Sequence, residues 1–97
     1  MADSSSPESP TIRHNEADQR FETAGTSEPS VLEYELEAGR ILFTHTFVPP
    51  ALRGQGVAAD LVKEGFAYAR KEGLKVVPLC SYVAQYLKRH REYDDLR

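Results

Sequence analysis

This sequence of 97 residues holds no tryptophan and a single cysteine, Cys80. A single cysteine excludes an internal disulfide framework and any metal site built from several cysteines. His14, His90 and the acidic residues show none of the spacings that metal-ligand motifs have. The sequence therefore predicts a fold that depends on neither disulfides nor a bound metal.

Long apolar runs and clustered positive charges are missing as well. No apolar stretch approaches the length that spans a bilayer, and the first residues lack the apolar core of a signal peptide. The net charge of −3 argues against nucleic-acid binding, which needs a basic surface to neutralise phosphates. We expect a soluble cytoplasmic protein that binds neither nucleic acid nor membrane.

Residues 1–10 differ in composition from residues 11–97. The first ten are rich in serine, proline and acidic residues, and they hold too little apolar surface to offset the entropy of ordering them. We expect these ten residues to form a disordered tail. Residues 11–97 have the size and apolar content of one small domain, near the lower limit for an independent core.

Three strands are predicted before residue 38. Residues 11–15 and 20–23 have the pattern of two short strands joined by a polar turn, and residues 24–30 form a loop. Residues 31–37 alternate between apolar and acidic side chains, as in a strand with one buried and one solvated face. The buried face would carry Leu32, Tyr34 and Leu36, and the solvated face Glu33, Glu35 and Glu37.

A fourth strand, residues 40–48, follows the tight turn Ala38-Gly39 and would return as the hairpin partner. One face would carry Ile41, Phe43, His45 and Phe47, and the other face Leu42, Thr44, Thr46 and Val48. Because both sets are largely apolar, we expect an interior strand that is covered on both faces. His45, between two phenylalanines, is either a core histidine or a general base, and the pattern leaves both open.

The segment after this strand is the centre of the functional hypothesis. Pro49 and Pro50 end the strand, since proline has no N–H to donate. The sequence Arg53-Gly54-Gln55-Gly56 then bends the chain, with glycines where a Cβ would block close approach of the backbone. The first N–H groups of the following helix have no intrahelical partner, so with the helix dipole they form an anion pocket that suits a phosphate or pyrophosphate. The alternative is a strand-to-helix connection without a ligand.

The helix that follows this turn is the one strongly periodic segment of the chain. Apolar residues recur at helical spacing from Val57 to Ala69, and Gly73 ends the helix. Gly65 inside it costs about 1 kcal/mol relative to alanine. That cost indicates that the helix lies close against the sheet at this position.

The remaining elements complete an α+β fold. Residues 74–79 form a short buried strand, reached by a right-handed parallel crossover. Ser81 would cap a last helix over residues 82–90, and residues 92–97 form a polar tail. The predicted architecture is a mixed, mostly antiparallel sheet of about five strands with two helices.

The order of these elements, with Arg53-Gly-Gln-Gly-Val-Ala58 at the first helix, resembles the GNAT superfamily of acetyl-CoA-dependent N-acetyltransferases. The pyrophosphate loop of that superfamily reads Arg/Gln-x-x-Gly-x-Gly/Ala, which falls here on Arg53, Gly56 and Ala58. Further motifs, spread over roughly residues 12–96, are similar to a small single-domain GNAT-like family. They are His45-Thr46, Val48-Pro49, Arg53-Gly54-Gln55-Gly56, Val76-Val77-Pro78, Cys80-Ser81-Tyr82-Val83 and Arg89-His90.

The resemblance implies a site for acetyl-CoA or coenzyme A. Main-chain groups at Val48 would bond the pantetheine arm, the turn would hold the pyrophosphate, and Cys80 would lie near the thiol. The cofactor-binding residues so implied are Phe47, Val48, Arg53, Gly54, Gln55, Gly56, Val57, Ala58, Cys80, Ser81 and Tyr86. The candidate catalytic residues are Cys80, Tyr86, Tyr82 and His45.

Each catalytic candidate has a structural alternative. GNAT enzymes commonly use a tyrosine of the last helix to reprotonate the leaving thiolate, but tyrosines at the spacing of Tyr82 and Tyr86 are more often core packing with the hydroxyl satisfied. Cys80, just before a helix N-terminus, could be a reactive thiolate that accepts the acetyl group or pairs with the coenzyme's thiol. It could also be a small buried residue at a tight junction.

The functional hypotheses belong to three classes. The first is an N-acetyltransferase that moves an acetyl group from acetyl-CoA to a primary amine of unknown identity. The second is a module that binds coenzyme A or an acyl-CoA without turnover, and the third is an interaction domain that has lost the ligand. Two departures from the family matter: the helices that form the acceptor site of larger GNAT enzymes have no room here, and Arg91 replaces an expected proline. We expect a monomer or a weak homodimer.

Overall fold

A computed structural model describes residues 11–97, and the tail predicted for residues 1–10 lies outside the described residues. Five strands form one sheet in the order β1-β2-β3-β4-β5, antiparallel except for the parallel pair β4–β5. The strands are β1 (Ile12–Asn15), β2 (Arg20–Thr23), β3 (Val31–Glu37), β4 (Arg40–Phe47) and β5 (Lys75–Pro78). The helices are α1 (Val57–Glu72) and α2 (Ser81–Arg89), with 3-10 turns at Pro50–Leu52 and Arg91–Leu96. The predicted α+β architecture is confirmed.

The hairpin between β3 and β4 has the predicted two-residue turn. Ala38 has a φ of 49° and Gly39 a φ of 80°. Positive φ at both positions is characteristic of the type I′ turn, whose twist matches that of the strands it joins.

A β-bulge interrupts β4 at Thr44. Glu33 and Tyr34 are adjacent on β3, but their partners on β4 are His45 and Phe43, so Thr44 is an extra residue in its strand. A bulge of this kind breaks the alternation of side chains along the strand. The sequence contained no turn-forming residue that would have located it.

The bulge makes the predicted faces of β4 wrong beyond Phe43. Thr46 pairs with the fully buried Leu32 and so takes the core-facing position. His45, predicted to share the face of Phe43, is exposed, which excludes the core histidine. Phe47, on the same side as His45, is half-buried.

One face of the sheet carries the core, and α1 lies across it. Gly65 provides the predicted close approach, because a Cβ at this position would lie 2.9 Å from Cε1 and Cζ of Phe43. Both α1 and α2 contribute to a single apolar cluster. Its buried members are Phe21, Leu32, Tyr34, Ile41, Phe43, Val57, Leu61, Val62, Phe66, Ala69, Val76, Val83, Tyr86, Leu87 and Leu96.

The opposite face of the sheet is more open than expected. On β4, Leu42 and Thr44 are half-buried, whereas Ile41 and Phe43 on the core face are fully buried. The prediction that this strand is covered on both faces is therefore wrong. Leu36, predicted to be buried, is 47% exposed because it lies next to the end of β3.

The last helix begins one residue earlier than predicted. Cys80, not Ser81, is the N-cap residue of α2, and no side chain caps this end. The predicted polar tail is a 3-10 turn whose Leu96 is 3% exposed and belongs to the core. An ion pair of 2.6 Å between Arg70 and Asp95 ties this turn to α1.

Two observations concern membrane-spanning helices and metal-ligating side chains. Within residues 11–97, no helix is both long and apolar enough to cross a bilayer. The same part of the chain contains no group of three histidine, cysteine, aspartate or glutamate side chains that could hold a metal ion.

Candidate functional site

The turn between β4 and α1 leaves a row of backbone N–H groups without partners. The N–H groups of Leu52 and Arg53 donate to the carbonyls of Pro49 and Pro50, which completes a 3-10 turn. The next six N–H groups, from residue 54 to residue 59, donate to no acceptor within residues 11–97. The start of a helix with free amides is a site that favours an anion.

The two glycines of this turn are required by backbone conformation. Gly54 has a φ of 80° and Gly56 a φ of 77°, in the left-handed region where a Cβ is strained. A Cβ built on either glycine meets no atom within 4 Å. Within the described chain these glycines therefore avoid no clash, and what the backbone requires of them is the bend that turns the amides outward.

A cavity of about 290 Å³ lies at this turn. It brings together six of the predicted cofactor-binding residues with one predicted catalytic residue, Tyr82. Its walls are Val48, Leu52, Arg53, Gly54, Gly56, Val57, Ala58, Ala59 and Tyr82. The cavity is close to the lower end of the volumes that small-ligand sites have.

Arg53 fastens the turn to the end of β4. Its Nε donates a hydrogen bond of 2.9 Å to the carbonyl of Val48. The resemblance assigned main-chain groups at Val48 to the pantetheine arm, and one of them, the carbonyl, accepts this hydrogen bond within the protein. Gln55 is exposed and donates to the carbonyl of Ala51 over 3.3 Å, and it does not line the cavity.

β4 and β5 part beyond Phe43. The last paired residues are Phe43 and Pro78, and the Cys80 N–H donates to the Phe43 carbonyl over 2.9 Å. β4 then continues to Phe47, while the chain after β5 turns into α2. The second half of β4 therefore has no strand partner on this side in the described chain. An extended ligand arm could bond its main chain here.

Cys80 lies at this parting, next to Thr46. Its Sγ is 3.1 Å from the Thr46 hydroxyl oxygen, and its side chain is half-buried. Burial raises the pKa of the Cys80 thiol, but hydrogen bonds from the Thr46 hydroxyl and from the N–H groups of Val83 and Tyr82 outweigh it, so the pKa is lowered overall. A lowered pKa increases the thiolate fraction and hence the reactivity of the thiol.

The two candidate tyrosines of α2 have different surroundings. Tyr82 lines the cavity and is 38% exposed, and burial of its ring raises the pKa of its hydroxyl. Tyr86 is 7% exposed, with its ring stacked on His90 at 4.0 Å and edge-on to Phe66 at 5.8 Å. Burial raises the pKa of Tyr86 to about 12. Tyr86 does not line the cavity.

The remaining predicted residues, Phe47, Ser81, His45 and also Cys80, do not line the cavity. Phe47 is the last residue of β4, and Ser81 is the first residue of α2. His45 is exposed and, two positions before Phe47, faces away from Cys80.

Three residues of the site were not predicted. Leu52 and Ala59 line the cavity, and Thr46 contacts Cys80. Leu52 and Ala59 flank the Gly-rich turn, so proximity in sequence could have found them. Thr46 reaches Cys80 only because of the bulge in β4.

Comparisons with known proteins agree with this geometry. The model of the GCN5-related N-acetyltransferase family matches residues 20–96. Protein NATD1 from Mus musculus and from Gallus gallus is 34% identical over 80 residues, which cover 79% of this chain and 73% of either relative. The NMR solution structure of a GCN5-like protein from Staphylococcus aureus superposes with a TM-score of 0.73 at 26% identity, covering 89% of this chain and 85% of that one. The chain belongs to the family of GCN5-related N-acetyltransferases.

Proposed function

We propose that this protein transfers the acetyl group of acetyl-CoA to a primary amine. The observation that carries the proposal is the row of free N–H groups from residue 54 to residue 59 beside a cavity at the start of α1. Family membership supports the same reaction class, and the parting of β4 from β5 supports an extended arm beside the pyrophosphate.

The residues present fit coenzyme A in their chemistry. The free amides and the helix dipole would hold the pyrophosphate. The Nη atoms of Arg53 make no hydrogen bond within residues 11–97 and could add a charge-assisted contact. Bound acetyl-CoA supplies a thioester whose carbonyl carbon a neutral amine can attack.

The chain's own contribution is orientation and proton transfer. Holding an amine against the thioester converts a bimolecular encounter into an oriented, effectively intramolecular step. A tyrosine is protonated at neutral pH, and burial raises the pKa of Tyr82 further, so its hydroxyl has a proton to donate to the departing thiolate.

Cys80 offers a second route for the same transfer. Its thiolate would attack the thioester carbonyl, which places the acetyl group on Sγ and releases the coenzyme's thiolate for protonation. The amine would then attack the acetyl-cysteine, freeing the Cys80 thiolate and losing one proton to solvent. The lowered pKa of Cys80 and its contact with Thr46 support this relay.

A coenzyme holder without turnover is the second candidate function. The observation that favours it is that no histidine or carboxylate among the described residues lines the cavity. His45, the predicted base, faces away from Cys80. A holder would bind acetyl-CoA at the same amides and release no thiol.

Calorimetric titration with coenzyme A, acetyl-CoA and ADP shows whether the protein binds the coenzyme. We expect both coenzymes to bind more tightly than ADP, because ADP lacks the pantetheine arm. No binding at millimolar coenzyme would contradict both candidate functions. A thiol-release assay over a panel of amines then divides enzyme from holder, since a holder releases no thiol above the level without an amine.

Three variants assign the roles. Tyr82→Phe should lower kcat by about a hundredfold, a typical loss for a general acid, while Tyr86→Phe should alter only the core. The reverse result would return the acid role to Tyr86. Cys80→Ala abolishes turnover if the relay operates and leaves it measurable if transfer is direct.

A further inference from the structure

Two arginines converge on a buried carboxylate at the other end of the sheet from the coenzyme cavity. On the face opposite the core, Arg13 and Glu22 are cross-strand neighbours on β1 and β2, and Arg20 lies two residues before Glu22. Arg20 Nε donates to Glu22 Oε1 over 2.6 Å, and Arg13 donates to Oε2 through Nε, at 3.1 Å, and Nη2. Glu22 is 3% exposed.

The carboxylate of Glu22 is saturated, but the guanidinium groups are not. Asn15 Nδ2 adds contacts of 3.4 Å to both oxygens of Glu22. Each guanidinium has five N–H donors, and Arg20 uses only Nε within residues 11–97. Arg13 keeps its Nη1 group without a partner in the same part of the chain. These three side chains, two arginines and one glutamate, together carry a surplus of one positive charge.

The surplus charge faces a cavity of about 250 Å³. The rest of its wall comes from the loop after β2, and its lining residues are Arg13, Arg20, Glu22, Thr23, Ala24, Gly25, Thr26 and Pro29. Gly25 has a φ of 77°, and the N–H groups of Gly25 and Thr26 donate to no acceptor within residues 11–97. Successive amides at a positive-φ glycine form the concave arrangement that binds anions.

Stability alone does not account for this arrangement. Hydrogen bonds from both arginines stabilise the buried carboxylate of Glu22, but that contact does not require the remaining N–H donors of either guanidinium, and Arg13 itself is 65% exposed. Asp18 and Glu33 also attract Arg20, but neither lines the cavity. The chain as a whole carries a net charge of −3, so a concave site with surplus positive charge is a local exception.

We propose that this cavity binds an oxyanion, the carboxylate or phosphate group of a small ligand. The Nη groups of Arg20 and Arg13 would donate to its oxygens in the geometry that planar guanidinium groups favour, and the amides of Gly25 and Thr26 would complete the contact. Glu22 orients the two arginines. The site shares no lining residue with the cavity at the start of α1.

NMR titration of the full chain with phosphate, acetate and chloride at constant ionic strength tests the proposal. We expect saturable shifts of the amide signals of Gly25 and Thr26 and of the Nε–H signals of both arginines with an oxyanion, and none with chloride. Preference for phosphate over acetate, or the reverse, identifies the ligand group. Absence of saturable shifts in the wild-type chain, or equal shifts with chloride, overturns the proposal without any variant.

Two variants show whether Arg20 is responsible for oxyanion binding. Arg20→Gln should weaken oxyanion binding by about tenfold or more, the loss expected for a charge-assisted hydrogen bond. Arg40→Gln is the matched control, since Arg40 is an exposed arginine with one ion pair, to Glu37, and does not line the cavity. Equal affinity in the two variants overturns the proposal. If Arg20→Gln fails to fold, Arg20→Lys keeps the charge on Glu22 and should still weaken binding because it loses the planar donor pair.

Discussion

Gly56 and Gly73 allow the proposed anion site to be tested separately from the stability of the fold. They stand at the two ends of α1 with nearly the same backbone conformation, φ 77° and ψ 14° for Gly56, φ 70° and ψ 30° for Gly73. A Cβ added to either glycine meets no atom within 4 Å. Alanine at either position therefore introduces the same backbone strain and no clash.

The expected loss of stability follows from the backbone alone. A left-handed conformation costs an L-residue about 1–2 kcal/mol, and the stiffer unfolded chain of the alanine variant returns about 0.4–1 kcal/mol. Gly56→Ala and Gly73→Ala should each lose about 1 kcal/mol of unfolding free energy, which lowers Tm by about 4–8 °C in a domain of this size. Thermal unfolding followed by circular dichroism measures the Tm and the unfolding free energy of each variant.

The two variants should differ in coenzyme binding. An alanine at position 56 relieves its strain by moving toward negative φ, which turns the following N–H groups away from a common point. Loss of one charge-assisted hydrogen bond raises Kd about tenfold or more. Gly73, at the far end of the 16-residue helix, leaves the site unchanged, so Gly73→Ala should bind coenzyme A as the wild type does.

Isothermal titration calorimetry with coenzyme A, at a temperature below the melting range of both variants, measures the Kd of each variant. If Gly56→Ala binds coenzyme A as tightly as Gly73→Ala, the amides of this turn do not hold the pyrophosphate. If both variants lose affinity equally, the loss comes from reduced stability and not from the turn. Either result refutes the reasoning.

Three further predictions concern packing and protonation. Gly65→Ala should destabilise the protein by up to about 2 kcal/mol, because overpacking against Phe43 costs about 1–3 kcal/mol and the gain in helix propensity is about 1 kcal/mol. Urea unfolding measures the change. A variant more stable than the wild type would show that Phe43 can move aside. The Arg13 and Arg20 hydrogen bonds lower the pKa of Glu22 from 4.5 to about 2, so its stabilisation is present above pH 4.5 and is lost as the pH falls toward 2. The stability difference between wild type and Glu22→Gln should shrink over that range, and a constant difference would contradict the assigned pKa. Thr46→Val should raise the pKa of the Cys80 thiol and slow its alkylation by iodoacetamide at pH 7, because the valine lacks the hydroxyl that contacts the sulfur. Thr46→Ser keeps a hydroxyl and should keep the wild-type rate. Equal alkylation rates in the two variants would show that the hydroxyl does not act on the thiol.

The sequence determined the elements and the turn. Period-two alternation in residues 31–37 and helical spacing from Val57 predicted β3 and α1, because each pattern follows from which side chains must leave water. Glycine within a helix predicted that α1 lies close against the sheet at Gly65, since its cost in propensity needs a packing reason, and the structure identifies Phe43 as the neighbour. The resemblance to the family could be stated in advance because the Arg53 to Ala58 motif and the further short motifs are each local and continuous in the chain.

Only the tertiary structure decided which side chains meet at the site. The bulge at Thr44 shifts Thr46 onto Cys80 and turns His45 toward solvent, and it arises from strand pairing that no local pattern records. Packing of α2 against α1 placed Tyr86 in the core and left Tyr82 at the cavity, although both tyrosines lie one turn apart on the same helix. Local preferences fix what each segment becomes, whereas contacts between distant segments fix where each side chain points.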